Sequence, residues 1–170
     1  MKAKLLINVF LLSFLFVGCK QNTKDYKIVR DPKKGGPMLV GKIDRSELLK
    51  DPFDKWYKQE YDSYMVDSAV LGGANLPAFR LTIVFATWCP DSRMEVPRML
   101  KILDYLFVPD KDITLYCVDR NKKAGKFDIS NLNIQRVPTF IFYVNGKEKG
   151  RIIEHPKQSL EKDMLSILSQ

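Results

Sequence analysis

One cysteine in this sequence stands where a thiol could be chemically active. Cys89 follows the apolar, β-branched run 81–86, which is typical of a buried strand, and Pro90 behind it can open a helix. The unpaired amides and the dipole at such a helix start favour a thiolate, which is the nucleophile of disulfide exchange. The pattern therefore predicts a catalytic thiol at Cys89, with surroundings formed by Trp88, Pro90, Asp91 and Ser92.

The sequence supports few other kinds of site. His155 is the single histidine and is followed by Pro156, so we expect a surface residue and neither a metal site nor a Cys–His hydrolase pair. No glycine-rich phosphate loop is present, and we expect no cofactor. The net charge of +8 is spread along the chain without a dense basic block, which argues against a nucleic-acid partner.

The first residues have the pattern of an export signal. A basic start precedes the apolar run 5–17, which is shorter than the roughly 20 residues that span a bilayer as a helix. Gly18 and Cys19 follow, and the stretch 16–19 resembles a bacterial lipoprotein signal, although Phe16 replaces the usual leucine. The resemblance implies that residues 1–18 are a signal peptide and that Cys19 is lipidated. The alternative is a plain secretory signal with an incidental cysteine.

Lipidation at Cys19 would place the protein in the bacterial cell envelope, facing the periplasm or the cell surface, with the membrane as a partner. Residues 19–40 are polar, carry several Gly and Pro residues and show no apolar period. This composition predicts a flexible tether between the membrane and a domain at residues 41–170.

The elements that position Cys89 can be predicted from periodicity. An amphipathic aromatic stripe predicts helix over 44–66, which Pro52 could divide. Beyond it the patterns predict strands at 81–86, 113–118, 139–144 and 147–153, helices at 92–107 and 159–168, and a short helix or turn at 128–133. Helix-linked strands pair in parallel, whereas the turn at Asn145-Gly146 forces an antiparallel pair. A mixed central sheet with helices on both faces follows.

The order of these elements and three separated motifs resemble the thioredoxin fold. The motifs are residues 85–92, Pro97, and Val137-Pro138 before the strand at 139–144, and the match covers about 76–170. The resemblance implies an α/β fold, a three-layer α/β/α sandwich, here with an N-terminal helical extension. It also implies that Pro138 is a cis-proline facing Cys89 and that Val137 offers its backbone to an extended peptide.

Glu95 adds a further likeness, since its spacing from Cys89 is similar to that in the membrane-anchored TlpA-like reductases, where a glutamate can tune the thiol. A solvated helix acid is the equally weighted alternative. The family's second cysteine is replaced by Ser92, whose hydroxyl could donate a hydrogen bond to the Cys89 thiolate, and Ile83 replaces the family's buried acid. The standard dithiol cycle is therefore interrupted.

Three outcomes stay open at this point. Cys89 acts as a monothiol on protein or low-molecular-weight disulfides, with an outside thiol completing the exchange; or Cys117 resolves the mixed disulfide; or the fold serves as a non-catalytic binding module. Cys117 lies inside an apolar run, which favours a buried structural role. We expect a monomeric thiol–disulfide exchange protein, and whether it is an enzyme depends on which outcome holds.

Overall fold

The computed structural model describes residues 24–169. Within them the helices and strands follow one another as β1 (Tyr26–Arg30), β2 (Pro37–Ile43), α1 (Asp54–Ser63), α2 (Ser68–Leu71), β3 (Arg80–Phe85), α3 (Pro90–Tyr105), β4 (Ile113–Cys117), β5 (Thr139–Val144), β6 (Lys147–Ile153) and α4 (Leu160–Leu168). Short 3-10 helices lie at Arg45–Leu49, Asp110–Asp112 and Ser130–Leu132. No helix among the described residues is both long and apolar enough to cross a membrane.

The six strands form one sheet in the order β1-β2-β4-β3-β5-β6. Strands β3 and β4 pair in parallel, and the other neighbours are antiparallel. The turn between β5 and β6 has positive φ at both Asn145 and Gly146, as a two-residue hairpin of this twist requires. The α/β fold class with a mixed central sheet is thus confirmed.

The two faces of the sheet are covered differently. Successive strand residues point to opposite faces, so Ile83 and Phe85 pack with α1, α3 and α4 in the larger core, whereas Val84 belongs to the second cluster. That second cluster consists of the site residues and the chain between β4 and β5, including Ile129 and Val137. The layer on this face is therefore an irregular segment whose 3-10 helix, Ser130–Leu132, lies within the short helix or turn predicted at 128–133.

The segment that we expected to be a flexible tether, residues 19–40, is ordered from β1 onward. Strands β1 and β2 form a hairpin, hereafter the N-terminal hairpin, and β2 joins the sheet through its antiparallel pairing with β4. Gly41 makes this possible: its φ is +130°, and a Cβ there would lie 2.3 Å from the Asp25 carbonyl oxygen. The tether interpretation is wrong for residues 26–40, because β1 and β2 hydrogen-bond to each other and β2 also hydrogen-bonds to β4.

The remaining expectations for the first part of the chain have mixed outcomes. The predicted helix over 44–66 is divided as Pro52 suggested, into the 3-10 helix Arg45–Leu49 and α1, and α1 packs against α3. The predicted signal peptide at residues 1–18 and the predicted lipidation residue Cys19 lie outside the described residues. Both stay predictions.

Candidate functional site

Cys89 occupies the N-cap of α3, directly beyond the end of β3. Its amide donates to the carbonyl of Ala86 (3.0 Å), and its carbonyl accepts the first intrahelical bond from the amide of Arg93 (3.1 Å). Pro90 opens the helix, where its missing N–H leaves no bond unmade. The remaining amides of the first turn have no intrahelical partner, so this end of α3 favours negative charge at Cys89.

The thiol points toward the backbone of the predicted peptide-binding strand. Its Sγ donates to the carbonyl oxygen of Val137 at 3.3 Å, and the Val137–Pro138 peptide bond is cis, as the resemblance implied. Both Val137 and Pro138 are buried, while Cys89 keeps 7% of its surface accessible. The sequence therefore placed the thiol and the proline correctly against each other across the fold.

Ser92 is fully buried under the end of β3. Its hydroxyl accepts a hydrogen bond from the amide of Ala86 at 3.2 Å. We expected that Ser92 could donate to a Cys89 thiolate, but among the described residues its hydrogen-bond partner is this amide. The hydroxyl at the position of the missing second cysteine thus holds the loop between β3 and α3.

Trp88 is held at its edge and on one face. Its indole Nε1 donates to the carbonyl of Val118 at 3.0 Å, and the Arg120 guanidinium lies 4.1 Å from the ring centroid. Arg120 in turn forms a two-point ion pair with Asp31 of the N-terminal hairpin, with distances of 2.6 and 3.1 Å. The hydrogen bond from Arg120 holds the pKa of Asp31 at about 2, below its ordinary value. The hairpin is therefore part of the wall beside Cys89.

The arginine is also electrostatically coupled to the thiol. The pKa of Arg120 is raised, first by its hydrogen bond to Asp31 and, to a smaller degree, by the negative charge that Cys89 can carry. Opposite charges favour each other's ionised forms. Arg120 thus adds a positive charge on the Trp88 side of Cys89.

An acidic cluster lies along the other side of the site. His155 bridges two carboxylates of α3, with Nε2 at 3.5 Å from Asp91 and Nδ1 at 3.5 Å from Glu95. Glu95 is 5% exposed, and burial raises its pKa although His155 and Arg98 act against that rise. Glu95 is therefore not a solvated helix acid, which removes one of our two interpretations of it.

Cys117 lies on the opposite face of the sheet from Cys89. It is fully buried in the core beneath the helices, and burial raises the pKa of its thiol well above the ordinary value. Cys89 packs instead in the second cluster with Val84 and Val137. The two thiols cannot meet without rearrangement of the core, so Cys117 has the structural role that its apolar run favoured.

Several site residues could not be identified from the sequence. Asp31 and Arg120 lie far apart in the chain, and His155, exposed as expected, contacts Asp91 and Glu95, which the sequence did not indicate. Thr87 was also missed: its buried hydroxyl accepts from the amide of Leu39 at 3.1 Å and joins the hairpin to the site. The only local sequence signal for these contacts was Asp31 itself, an acid in a turn that also carries two lysines. Nowhere in the described residues do three or more His, Cys, Asp or Glu side chains meet as candidate metal ligands.

Comparison with known proteins bears on the fold. A family model described as Thioredoxin matches residues 78–166, just over half of the chain. A 1.5 Å crystal structure of a Pseudomonas aeruginosa protein of unknown function is 20% identical, with a TM-score of 0.44, and the match covers 66% of this chain and 80% of that one. An HIV epitope-scaffold is also 20% identical, with a TM-score of 0.38 and coverage of 66% and 70%. The search of curated proteins found no match. From the family match over residues 78–166, the chain belongs to the thioredoxin family.

Proposed function

We propose that this protein carries out monothiol thiol–disulfide exchange through Cys89 in the bacterial cell envelope. The observation that carries the proposal is the position of Cys89 at the N-cap of α3, with Sγ 3.3 Å from the carbonyl oxygen of Val137. This arrangement places a nucleophile beside a backbone edge that can hold an extended peptide. Arg120 adds a positive charge on the same side.

The chemistry is a pair of exchanges. The Cys89 thiolate attacks one sulfur of a substrate disulfide, a new disulfide forms between Cys89 and that sulfur, and the other substrate sulfur leaves as a thiolate that takes a proton from water. An external thiol, as its thiolate, then attacks the substrate sulfur and releases the Cys89 thiolate. Each turn exchanges one thiol for another, and net reduction of the substrate needs a second external thiol.

The need for an external thiol follows from the positions of Ser92 and Cys117. The Ser92 hydroxyl cannot attack a mixed disulfide as a thiolate would, and it accepts a hydrogen bond from the amide of Ala86. Cys117 is buried on the other face of the sheet. We therefore assign resolution of the mixed disulfide to a protein or low-molecular-weight thiol of the same compartment.

The reaction can be tested with purified full-length protein and a neutral disulfide such as 2,2′-dithiodipyridine. The rate assigned to Cys89 is the rate of the parent chain minus that of the Cys89→Ser variant. We expect release of pyridine-2-thione to depend on Cys89 and to be unchanged by Cys117→Ala. A parent chain that reacts no faster than Cys89→Ser would refute the exchange function.

The monothiol mechanism has its own test. Ser92→Cys supplies a thiol one helical turn after Cys89, so the mixed disulfide should resolve internally without added thiol. Mass spectrometry should show a persistent Cys89 adduct in the parent chain and, in the variant, an internal disulfide between Cys89 and the introduced thiol. A parent adduct that clears with no external thiol present would contradict the monothiol assignment.

The envelope location rests on the lipoprotein-like stretch 16–19. We expect the expressed chain to incorporate labelled fatty acid and to sediment with membranes, and Cys19→Ala to lose both properties. Export of the Cys19→Ala chain as a free protein, with no label incorporated by the parent, would support a plain secretory signal instead.

A second candidate function is a binding module without turnover. It is favoured by the burial of Cys89, which keeps 7% of its surface accessible, and by the structural use of the Ser92 hydroxyl. Under this alternative, Cys89→Ala would retain every partner that the parent chain binds. Under the exchange mechanism, partners recovered through a mixed disulfide would be lost from Cys89→Ala.

A further inference from the structure

A groove of about 330 Å³ begins next to Cys89 and runs between three parts of the fold. Trp88 and Pro90, the two chain neighbours of Cys89, form one end of its lining. The turn of the N-terminal hairpin, with Lys34, forms a second wall, and α1, with Trp56, forms a third. Its volume lies at the lower end of the range of ligand sites, about 300–1,000 Å³. Neighbouring Cα atoms are about 3.8 Å apart, so an occupant would lie close to the reacting sulfur.

The charges of this groove do not cancel. Its two acids are each paired with an arginine outside the lining: Asp31 with Arg120 at 2.6 Å and Glu60 with Arg98 at 2.8 Å. Its two cations, Lys34 and Arg93, have no carboxylate partner within residues 24–169. The groove therefore presents an excess of positive charge to an occupant.

Apart from the polar side chain of Gln59, the rest of the lining is largely apolar. Trp56, Trp88 and Met94 line the groove, and the Arg93 guanidinium carbon lies 5.9 Å from the centroid of the Trp56 ring. Arg93 also donates through Nε to the carbonyl of Thr87, which fixes one side of its guanidinium at the edge of the groove. A suitable occupant combines a carboxylate with apolar surface.

We propose that this groove binds a peptide segment of the disulfide partner that carries Asp or Glu and an apolar residue beside its reactive cysteine. The proposal rests on the exchange function of Cys89 and names the substrate class for it. Lys34 and Arg93 pair with the carboxylate, the tryptophans contact the apolar residue, and the cysteine of the partner reaches Cys89. Opposite charges speed the association of the partner with the groove and slow its dissociation. A partner with amide or basic residues in place of the acid gains neither effect.

The test uses short peptides whose single cysteine is activated as a 2-thiopyridyl disulfide. The Cys89 thiolate attacks the peptide sulfur, and pyridine-2-thiolate leaves and is recorded as the thione, because it is the better leaving group. The three peptides share the activated cysteine and a leucine next to it. They differ only in the residues that flank this pair, which are Glu in the first peptide, Gln in the second and Lys in the third. We expect the purified full-length protein to react with the Glu peptide about tenfold faster than with the Gln peptide at low salt, as two partly exposed ion pairs would give. The ratio should approach one near 1 M salt, where the Debye length is about 3 Å.

Lys34→Gln should lower the Glu-to-Gln ratio about threefold, and Lys34→Glu should bring it to one or below. Lys147→Gln, at the start of β6, removes the same charge outside the groove lining and should keep the parent ratio. Equal rates for the Glu and Gln peptides in the parent chain would overturn the groove proposal and leave the exchange function standing. Absence of Cys89-dependent reaction with the neutral disulfide would overturn both.

Discussion

Thr87 joins the N-terminal hairpin to the site through one buried hydrogen bond, and its loss can be measured. The Leu39 amide donates to the Thr87 hydroxyl at 3.1 Å, and both residues are fully buried. The pairing of β2 with β4 runs from Ile43 to Gly41 and no further, so the Thr87 hydroxyl takes the place of the next strand partner. The variant Thr87→Val keeps the shape of the side chain and removes the acceptor.

The expected magnitude follows from the orphaned amide. A buried donor left without a partner costs about 1–3 kcal/mol, which exceeds the roughly 1 kcal/mol that a hydrogen bond contributes on average. For a chain of this length we expect the melting temperature to fall by about 2–4 °C for each kcal/mol. Urea unfolding of the full-length protein measures the loss, and amide hydrogen exchange at Leu39 locates it.

Thr82→Val is the matched control. Thr82 lies in β3, is partly exposed and has no side-chain hydrogen bond to another described residue, so its change should stay within about 0.5 kcal/mol. If Thr87→Val behaved like Thr82→Val and left exchange at Leu39 unchanged, the link between the hairpin and the site would be refuted.

Three further predictions concern Asp31, Glu95 and Cys117. Because Arg120 holds the pKa of Asp31 at about 2, its contribution to stability is present above about pH 4 and is lost as the pH falls toward 2. Asp31→Asn should therefore be destabilising at neutral pH and converge with the parent in acid, and a difference that stays constant in urea unfolding across pH would contradict this. Burial raises the pKa of Glu95, so its contribution is present at low pH and is lost as the pH rises through that raised value. Glu95→Gln should become more stabilising, relative to the parent, as the pH goes from about 4 to neutral. Removal of His155, which opposes the raised pKa of Glu95, should enlarge this pH dependence. A stability difference that changes with pH in the opposite direction would show that ion pairing outweighs burial. Cys117→Ser should cost about 1–3 kcal/mol because it buries a hydroxyl in an apolar core, while the rate of Cys89 with a neutral disulfide should not change; a slowed rate would restore Cys117 as a resolving thiol.

The elements around Cys89 were predictable because their signals are local. A few adjacent residues are enough to predict each of three elements: the strand at 81–86, the helix that begins at the proline after Cys89, and the Asn145-Gly146 turn. Strands β5 and β6 have the predicted bounds, and α3 begins at Pro90, two residues before its predicted start. Buried runs and turns of this kind depend little on distant partners.

The N-terminal hairpin was not predictable in the same way. β1 is an edge strand with Ile28 and Val29 exposed, and β2 begins at Pro37 and contains Gly41, so neither has a regular apolar alternation. These two strands are held in place by the pairing of β2 with β4, whose residues lie more than 70 positions away. A composition that indicated a tether was therefore compatible with a strand once that partner was present.

The sequence by itself determined a thiol at the start of a helix, a proline to face it and a serine in place of a second cysteine, because each is a matter of residue identity at a fixed spacing. Only the tertiary structure decided what surrounds that thiol. Arg120 and Asp31 flank Trp88 on one side, His155 joins Asp91 and Glu95 on the other, and Cys117 is separated from Cys89 by the sheet. These contacts join residues far apart in the chain, and their energies depend on burial and distance, which exist only after the chain has folded.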